Sequence, residues 1–227
     1  MTKNDQLKES IEDAAKAAVK DGKDIQNEVR DIVIDALAEH HLDHENVDRV
    51  VKAVLEGVTS GIGEDNKTLN KAIENTLDGL REGMLKAVEA SRLAIEEAQG
   101  RADEFSEKDI KRAIDDLKGL EALFMQAAAD FSKAGIAATR GTFEDLATHA
   151  ERTGIAIGKS VSEALETMQG KVTSAKRPGL DDLTKVTLAG AANIASIASG
   201  ILAGIADSLN SEKPNSDTDG DEAGKKR

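Results

Sequence analysis

An all-α fold is what the sequence predicts, on three observations. Only Pro178 and Pro214 punctuate 227 residues, strand and hairpin signals are scarce, and apolar side chains recur at helical spacing along most of the chain. The expected architecture is a region of short N-terminal helices over residues 1–63, followed by long amphipathic helices over 64–178 that form an elongated bundle. A small-residue-rich apolar helix then covers 179–210, and a disordered tail covers 211–227.

The first three elements are short. Leu7, Ile11, Ala14, Ala15, Ala18 and Val19 define a first helix that stops at Asp21-Gly22. A second carries Ile25, Val29, Ile32, Val33, Ala36 and Leu37; a third carries Val47, Val50, Val51, Val54, Leu55 and Val58 and closes at "SGIG". Each is marginal alone in water, so they are expected to pack on one another or on the longer helices after them.

After Gly63 one apolar face persists through Leu69, Ile73, Leu77, Leu80, Met84, Val88 and Ile95, until Gly100 breaks it. A second long stretch opens at Ser106, with Asp109 in its first turn, where the helix dipole favours a carboxylate. Its stripe runs through Ile110, Ile114, Leu117, Phe124, Phe131, Leu146, Ile157 and Val161 to Val172, at about 3.65 residues per step, nearer an 11-residue repeat than a heptad. Gly135, Gly141, Gly154, Gly158 and Gly170 interrupt it, which predicts kinks or a turn between Gly135 and Gly158. A faint similarity between residues 133–146 and 152–165 is read as shared helical composition.

Residues 186–206, "VTLAGAANIASIASGILAGIA", carry no charge in a chain where 32% of residues are charged. Twenty-one helical residues span about 31 Å, enough for a bilayer core. Yet Val186, Leu188, Ile194, Ile197, Ile201, Leu202 and Ile205 supply only about −2 to −4 kcal/mol of insertion energy, which Thr187, Asn193, Ser196, Ser199 and the glycines erode. Leu183, Ile194, Ile197, Ile201 and Ile205 share one face, and Gly200 with Gly204 forms GxxxG, a row that permits close helix approach. The stretch therefore reads as a packing helix, or one whose isoleucines face a hydrophobic surface.

Composition removes several functions. There is no Trp, Tyr or Cys and there are only four Phe, so thiolate metal sites, disulfides and cysteine nucleophiles are excluded and a large aromatic core is not available. A net charge of −13 disfavours nucleic acid and anionic lipid. "EHHLDHE" at 39–45 places His40 and His44 at the i, i+4 spacing of a metal pair, but Leu42-Asp43 reads as a turn, so these are expected to be solvated turn residues. His149 stands alone. "GIAIGKS" at 154–160 lacks the first glycine of a phosphate loop, Thr153 standing there, and no strand precedes it. No catalytic constellation, cofactor site or metal site is expected, and the N-terminus lacks the apolar core of a secretory signal, which points to the cytoplasm.

Two resemblances add to this reading. The segment "DGKDIQNEVRDIVIDALAEHHLDHENVDRVVKAVLEGVTSG" resembles the opening of an uncharacterised proteobacterial family of all-helical proteins. Residues 66–175, Ala-rich, Cys-free and poor in aromatics, are similar in style to phasins, which coat polyhydroxyalkanoate granules. The phasin likeness implies a non-enzymatic structural protein, cytoplasmic or peripheral on granules or the inner membrane, that coats a hydrophobic granule or lipid surface through amphipathic helices. A soluble homo-oligomeric scaffold and a protein spanning a membrane through 186–206 are the alternatives. The candidate contact residues are Ile110, Ile114, Leu117, Phe124, Phe131, Leu146, Ile157, Val161, Ile194, Ile197, Gly200, Ile201, Gly204 and Ile205.

Overall fold

A computed structural model of the chain describes residues 3–40, 42–62, 66–101, 104–134, 140–172 and 189–211; these form seven α-helices with no strand among them. They are α1 (Lys3–Asp21), α2 (Ile25–Ala38), α3 (His44–Gly61), α4 (Asn66–Gly100), α5 (Glu107–Ala134), α6 (Arg140–Val172) and α7 (Ala189–Ser211).

Local chemistry explains the boundaries. Gly22, at φ +69°, takes the left-handed conformation that ends α1. Asp43 caps α3 by accepting a hydrogen bond from the Asn46 backbone N–H at 2.9 Å. At the start of α5, Ser106 and Asp109 form a reciprocal capping box: the Asp109 N–H donates to Ser106 Oγ at 3.2 Å and the Ser106 N–H to Asp109 Oδ2 at 3.1 Å. Asp43→Ala is expected to lower stability by about 0.5–2 kcal/mol, read as a lower urea midpoint at unchanged slope.

The stripe expected to run from Ile110 to Val172 is divided. α5 ends at Ala134 and α6 begins at Arg140, with 135–139 outside the described residues, so the chain reverses between these bounds and not at Gly154 or Gly158. These two glycines stay inside α6, where a Cβ at Gly154 would meet Met125 and one at Gly158 would meet Glu121, a register in which α5 and α6 run antiparallel. The two halves of the stripe thus face each other. The last helix, expected from Leu180, is described from Ala189; residues 173–188, and 212–227 of the expected tail, lie outside the described residues.

Close approach through GxxxG recurs. A Cβ at Gly57 would meet the Glu12 backbone, and one at Gly61 would come within 2.8 Å of the Lys16 carbonyl oxygen, so α1 lies parallel to α3. Gly79 packs on Gln26 and Val29, and Gly83 on Val33, which sets α2 parallel to α4. Lys8 of α1 also reaches Glu56 of α3 at 2.7 Å and holds its carboxyl below the ordinary 4.5. That small contribution is present above the ordinary carboxylate range and is lost as pH falls through the lowered value; both side chains are about half exposed, so screening keeps it weak.

One hydrophobic cluster draws on all seven helices: Ile11, Val29, Val54, Leu80, Phe124, Ile157 and Leu202 are each part of it. The longest helix, α4, lies against α2, α5, α6 and α7. Among the described residues Ile155 is the large apolar side chain left open to solvent, at 57% exposure. Alanines such as Ala87, Ala90, Ala94 and Ala98 line buried positions of α4, which is how a chain with so few aromatics brings its helices close enough to exclude water.

Candidate functional site

The feature with functional content is α7 and its seat. Ile194, Ala198, Leu202 and Ala206 succeed one another at four-residue intervals and are 2%, 2%, 0% and 8% exposed. They form the underside that meets α2, α4 and α5. Ile197, Ile201, Ile205 and Leu209 flank them, half-buried against the same core. The isoleucine face is therefore turned into the bundle. Asn193, Ser196, Gly200, Gly204 and Ser208 are exposed and uncharged, and the acidic Asp207 is exposed near the end of the helix.

The seat is built by the α2–α3 connection. The Leu42 backbone N–H donates to the Ala195 carbonyl at 3.3 Å. The single Ser199 hydroxyl proton is shared between the carbonyls of His40 and, at 3.1 Å, of Ala195. Glu39, His44 and Glu45 are exposed, as expected of a solvated turn, while the same connection also holds α7; His41 lies outside the described residues. Leu42 is buried, Asp43 caps α3, and the His40 carbonyl is taken up by α7. His40 precedes α3 and His44 opens it, so the two imidazoles do not share a helix. Among the described residues no group of three or more His, Asp or Glu side chains is placed to hold a metal ion.

Beneath α7 lies a pocket of about 20 Å³ lined by Leu42, Asp43, His44, Ser91, Asp116 and Ala195 among others. Burial pushes the Asp116 carboxyl above its ordinary 3.8; Asp43 and Asp115 act in the same direction, while Arg112 and His44 oppose them. The His44 ring rests near Gly119 of α5, where an added Cβ would sit 3.1 Å from Nδ1.

Of the candidate contact residues, Leu117, Phe124, Ile157, Val161 and Ile194 lie in the core and Ile110, Ile114, Ile197, Ile201 and Ile205 are half-buried against it. They are partner-helix contacts within the chain. Gly200 and Gly204 are exposed, with nothing within 4 Å of an added Cβ. Phe131 and Leu146 belong to α5 and α6 but their side chains lie outside the described residues.

Two polar features had no local signal. His149 is not alone: its Nε2 lies 3.4 Å from Asp78 Oδ1, and Arg81 Nε lies 3.5 Å from the same oxygen, joining α6 to α4. "GIAIGKS" lies within α6, so its amides are committed to helix. Across the outside of α4 and α6, Arg30, Lys86, Arg92, Glu82, Glu89 and Glu163 rim an open groove of about 680 Å³, and the three cations there are already paired with Asp31, Glu89 and Glu96.

The helical order and the α7 seat define a small-residue-packed helical bundle. The chain belongs to a family of unknown function, DUF6781, whose family model matches residues 1–211 and so ends where α7 ends. No curated protein and no solved structure matches the chain.

Proposed function

We propose that this is a non-enzymatic structural protein that attaches to a hydrophobic surface, a storage granule or a membrane face, by lifting α7 from its seat. One observation carries the reading: α7 is the helix among those described that is long and apolar enough to cross a membrane, with mean hydropathy 1.2, yet only 28% of that stretch is buried. Ile197, Ile201 and Ile205 are half-covered, Ile194 is buried, and no charge interrupts residues 189–206. Moving them from the bundle to an oily surface exchanges apolar burial for apolar burial, at about 25 cal/mol per Å² on each side, so the net change is small. The local surface then decides where α7 lies.

The style of residues 66–175 supports a phasin-like protein, the resemblance of the segment 21–61 supports a proteobacterial family, and the proposed setting is the cytoplasm. The acidic exterior, from a net charge of −13, would keep coated particles apart. A soluble homo-oligomer is the second reading. Three GxxxG rows pack on other helices while the fourth, Gly200–Gly204, faces open space.

Because the chain has no cysteine and the Ser199 side chain reaches the His40 backbone, a His40→Cys, Ser199→Cys pair is used to lock α7, with disulfide formation checked by loss of free thiol. On a density gradient with triglyceride emulsion or neutral-lipid vesicles, the reduced protein is expected to float and the oxidised protein to stay below. Equal flotation of both forms removes α7 as the contact. A soluble discrete oligomer that never floats replaces the surface reading with the scaffold.

A further inference from the structure

We infer that α7 selects a lipid surface without net charge and with loose packing, because its exposed side holds no cation for anionic headgroups and its apolar side can only fill gaps already open. The inference rests on the surface-attachment reading and names the surface. Ile194, Ile197, Ile201, Ile205 and Leu209 recur at steps of three and four residues on one side of the helix. Asn193, Ser196, Gly200, Gly204 and Ser208 do so on the other. Between Ala189 and Ser211 the one charged side chain is Asp207.

Helices that lie in the plane of a membrane commonly carry Lys and Arg on the polar side, and each adds attraction to anionic headgroups. The chain has such side chains elsewhere: Lys108, Lys111, Arg112 and Lys118 are all exposed on α5. α7 has none. Over the whole chain 43 acidic residues stand against 30 basic ones, so an anionic surface repels the body that delivers α7. Charge complementarity therefore points away from phosphatidylserine and toward headgroups without net charge.

The apolar side sets the second condition. Ile194 and Leu202 are already buried in the bundle and gain nothing by moving. Ile197, Ile201, Ile205 and Leu209 are half-covered, so only their open halves add to burial when α7 enters lipid. With no Coulombic attraction beside it, so small a gain does not part closely packed headgroups. It suffices where curvature or an oil interior leaves acyl chains uncovered between headgroups.

Co-flotation of the full chain with vesicles tests this. Small sonicated and large extruded vesicles of dioleoylphosphatidylcholine are compared at equal lipid, each with and without phosphatidylserine, at low and high salt. The wild-type chain is expected to be recovered several-fold better on small neutral vesicles than on large ones, with no gain from phosphatidylserine and no loss in salt. Gly200→Lys with Gly204→Lys places two cations where nothing lies within 4 Å of an added Cβ, so the bundle is left intact. This variant is expected to gain about tenfold or more on large phosphatidylserine vesicles, and to lose that gain in high salt. Wild-type recovery that is equal on small and large vesicles, or that rises with phosphatidylserine, overturns the inference and leaves surface attachment standing. A lysine pair that leaves the lipid preference unchanged overturns it equally, since the exposed side of α7 then does not set the choice. Recovery on no vesicle and on no triglyceride emulsion removes attachment itself, and this selectivity with it.

Discussion

Leu202→Ala is expected to detach α7 while α1 to α4 keep their packing. Leu202 is fully buried at the centre of the α7 underside, between Ala198 and Ala206, and neither alanine can move to fill the space it would leave. Truncating a buried leucine costs about 2–5 kcal/mol through lost transfer energy and the residual cavity. Even the lower end changes a docked-to-lifted ratio by about thirtyfold. The measurement is hydrogen exchange across α7 against α3, together with flotation. Protection of residues 194–206 should collapse toward that of an exposed helix, and the floating fraction should rise. If exchange in α7 instead tracks α3 in both proteins, α7 unfolds only with the whole molecule, and release cannot be a separate step.

Gly57→Ala is expected to destabilise the bundle by about 1–3 kcal/mol, although alanine is the better helix former by about 1 kcal/mol. The added methyl would meet the backbone of Glu12, whose Cα and carbonyl carbon lie 2.9 Å from that position, so α1 must shift along its whole contact with α3. Gly79→Ala meets the Gln26 carbonyl and Val29 and should behave alike. Gly158→Ala meets only the far end of Glu121, which can swing away, and should cost little. Gly200→Ala meets nothing and should raise stability by about 0.5–1 kcal/mol through helix propensity alone. Urea midpoints at constant slope rank the four. A large loss at Gly200 would show that this face is covered by a second copy, the outcome that the scaffold reading requires.

Much of the fold was legible because it is written locally. The three short helices are set by apolar spacing and by Gly22, and the start of α5 by the Ser106–Asp109 pair. Gly100 ends α4 as its position in the sequence suggests. The division of the long stripe was only partly legible. Spacing continues in phase from Phe124 through Ile157, and a continuous phase carries no mark of where the chain reverses. Five glycines offered places to turn, but those at 154 and 158 serve to admit α5, a use that depends on a partner the local pattern does not name.

The seat of α7 was illegible for a related reason. Histidines and acids at 39–45 look like solvent-facing turn chemistry, and in part they are, since His44 is exposed. What draws the connection inward is one leucine, Leu42, and two backbone groups that pair with residues some 150 positions later. Main-chain donors and acceptors leave no trace in composition. The isoleucine face of α7 was recognised as a face, but amphipathicity has the same form whether the partner is the chain's own core or an outside surface.

The parallel pairing of α1 with α3 and of α2 with α4 has a consequence for the order of assembly. Neither of the first two helices can settle on its partner until the chain has grown by roughly forty residues, several seconds of synthesis at ordinary rates. In the interval α1 and α2 have only each other to pack on, and the charges spaced along α1 suit that wait. Once α4 is complete, both pairs can close together as an interleaved four-helix block, which then offers α5 to α7 a finished wall on which to build.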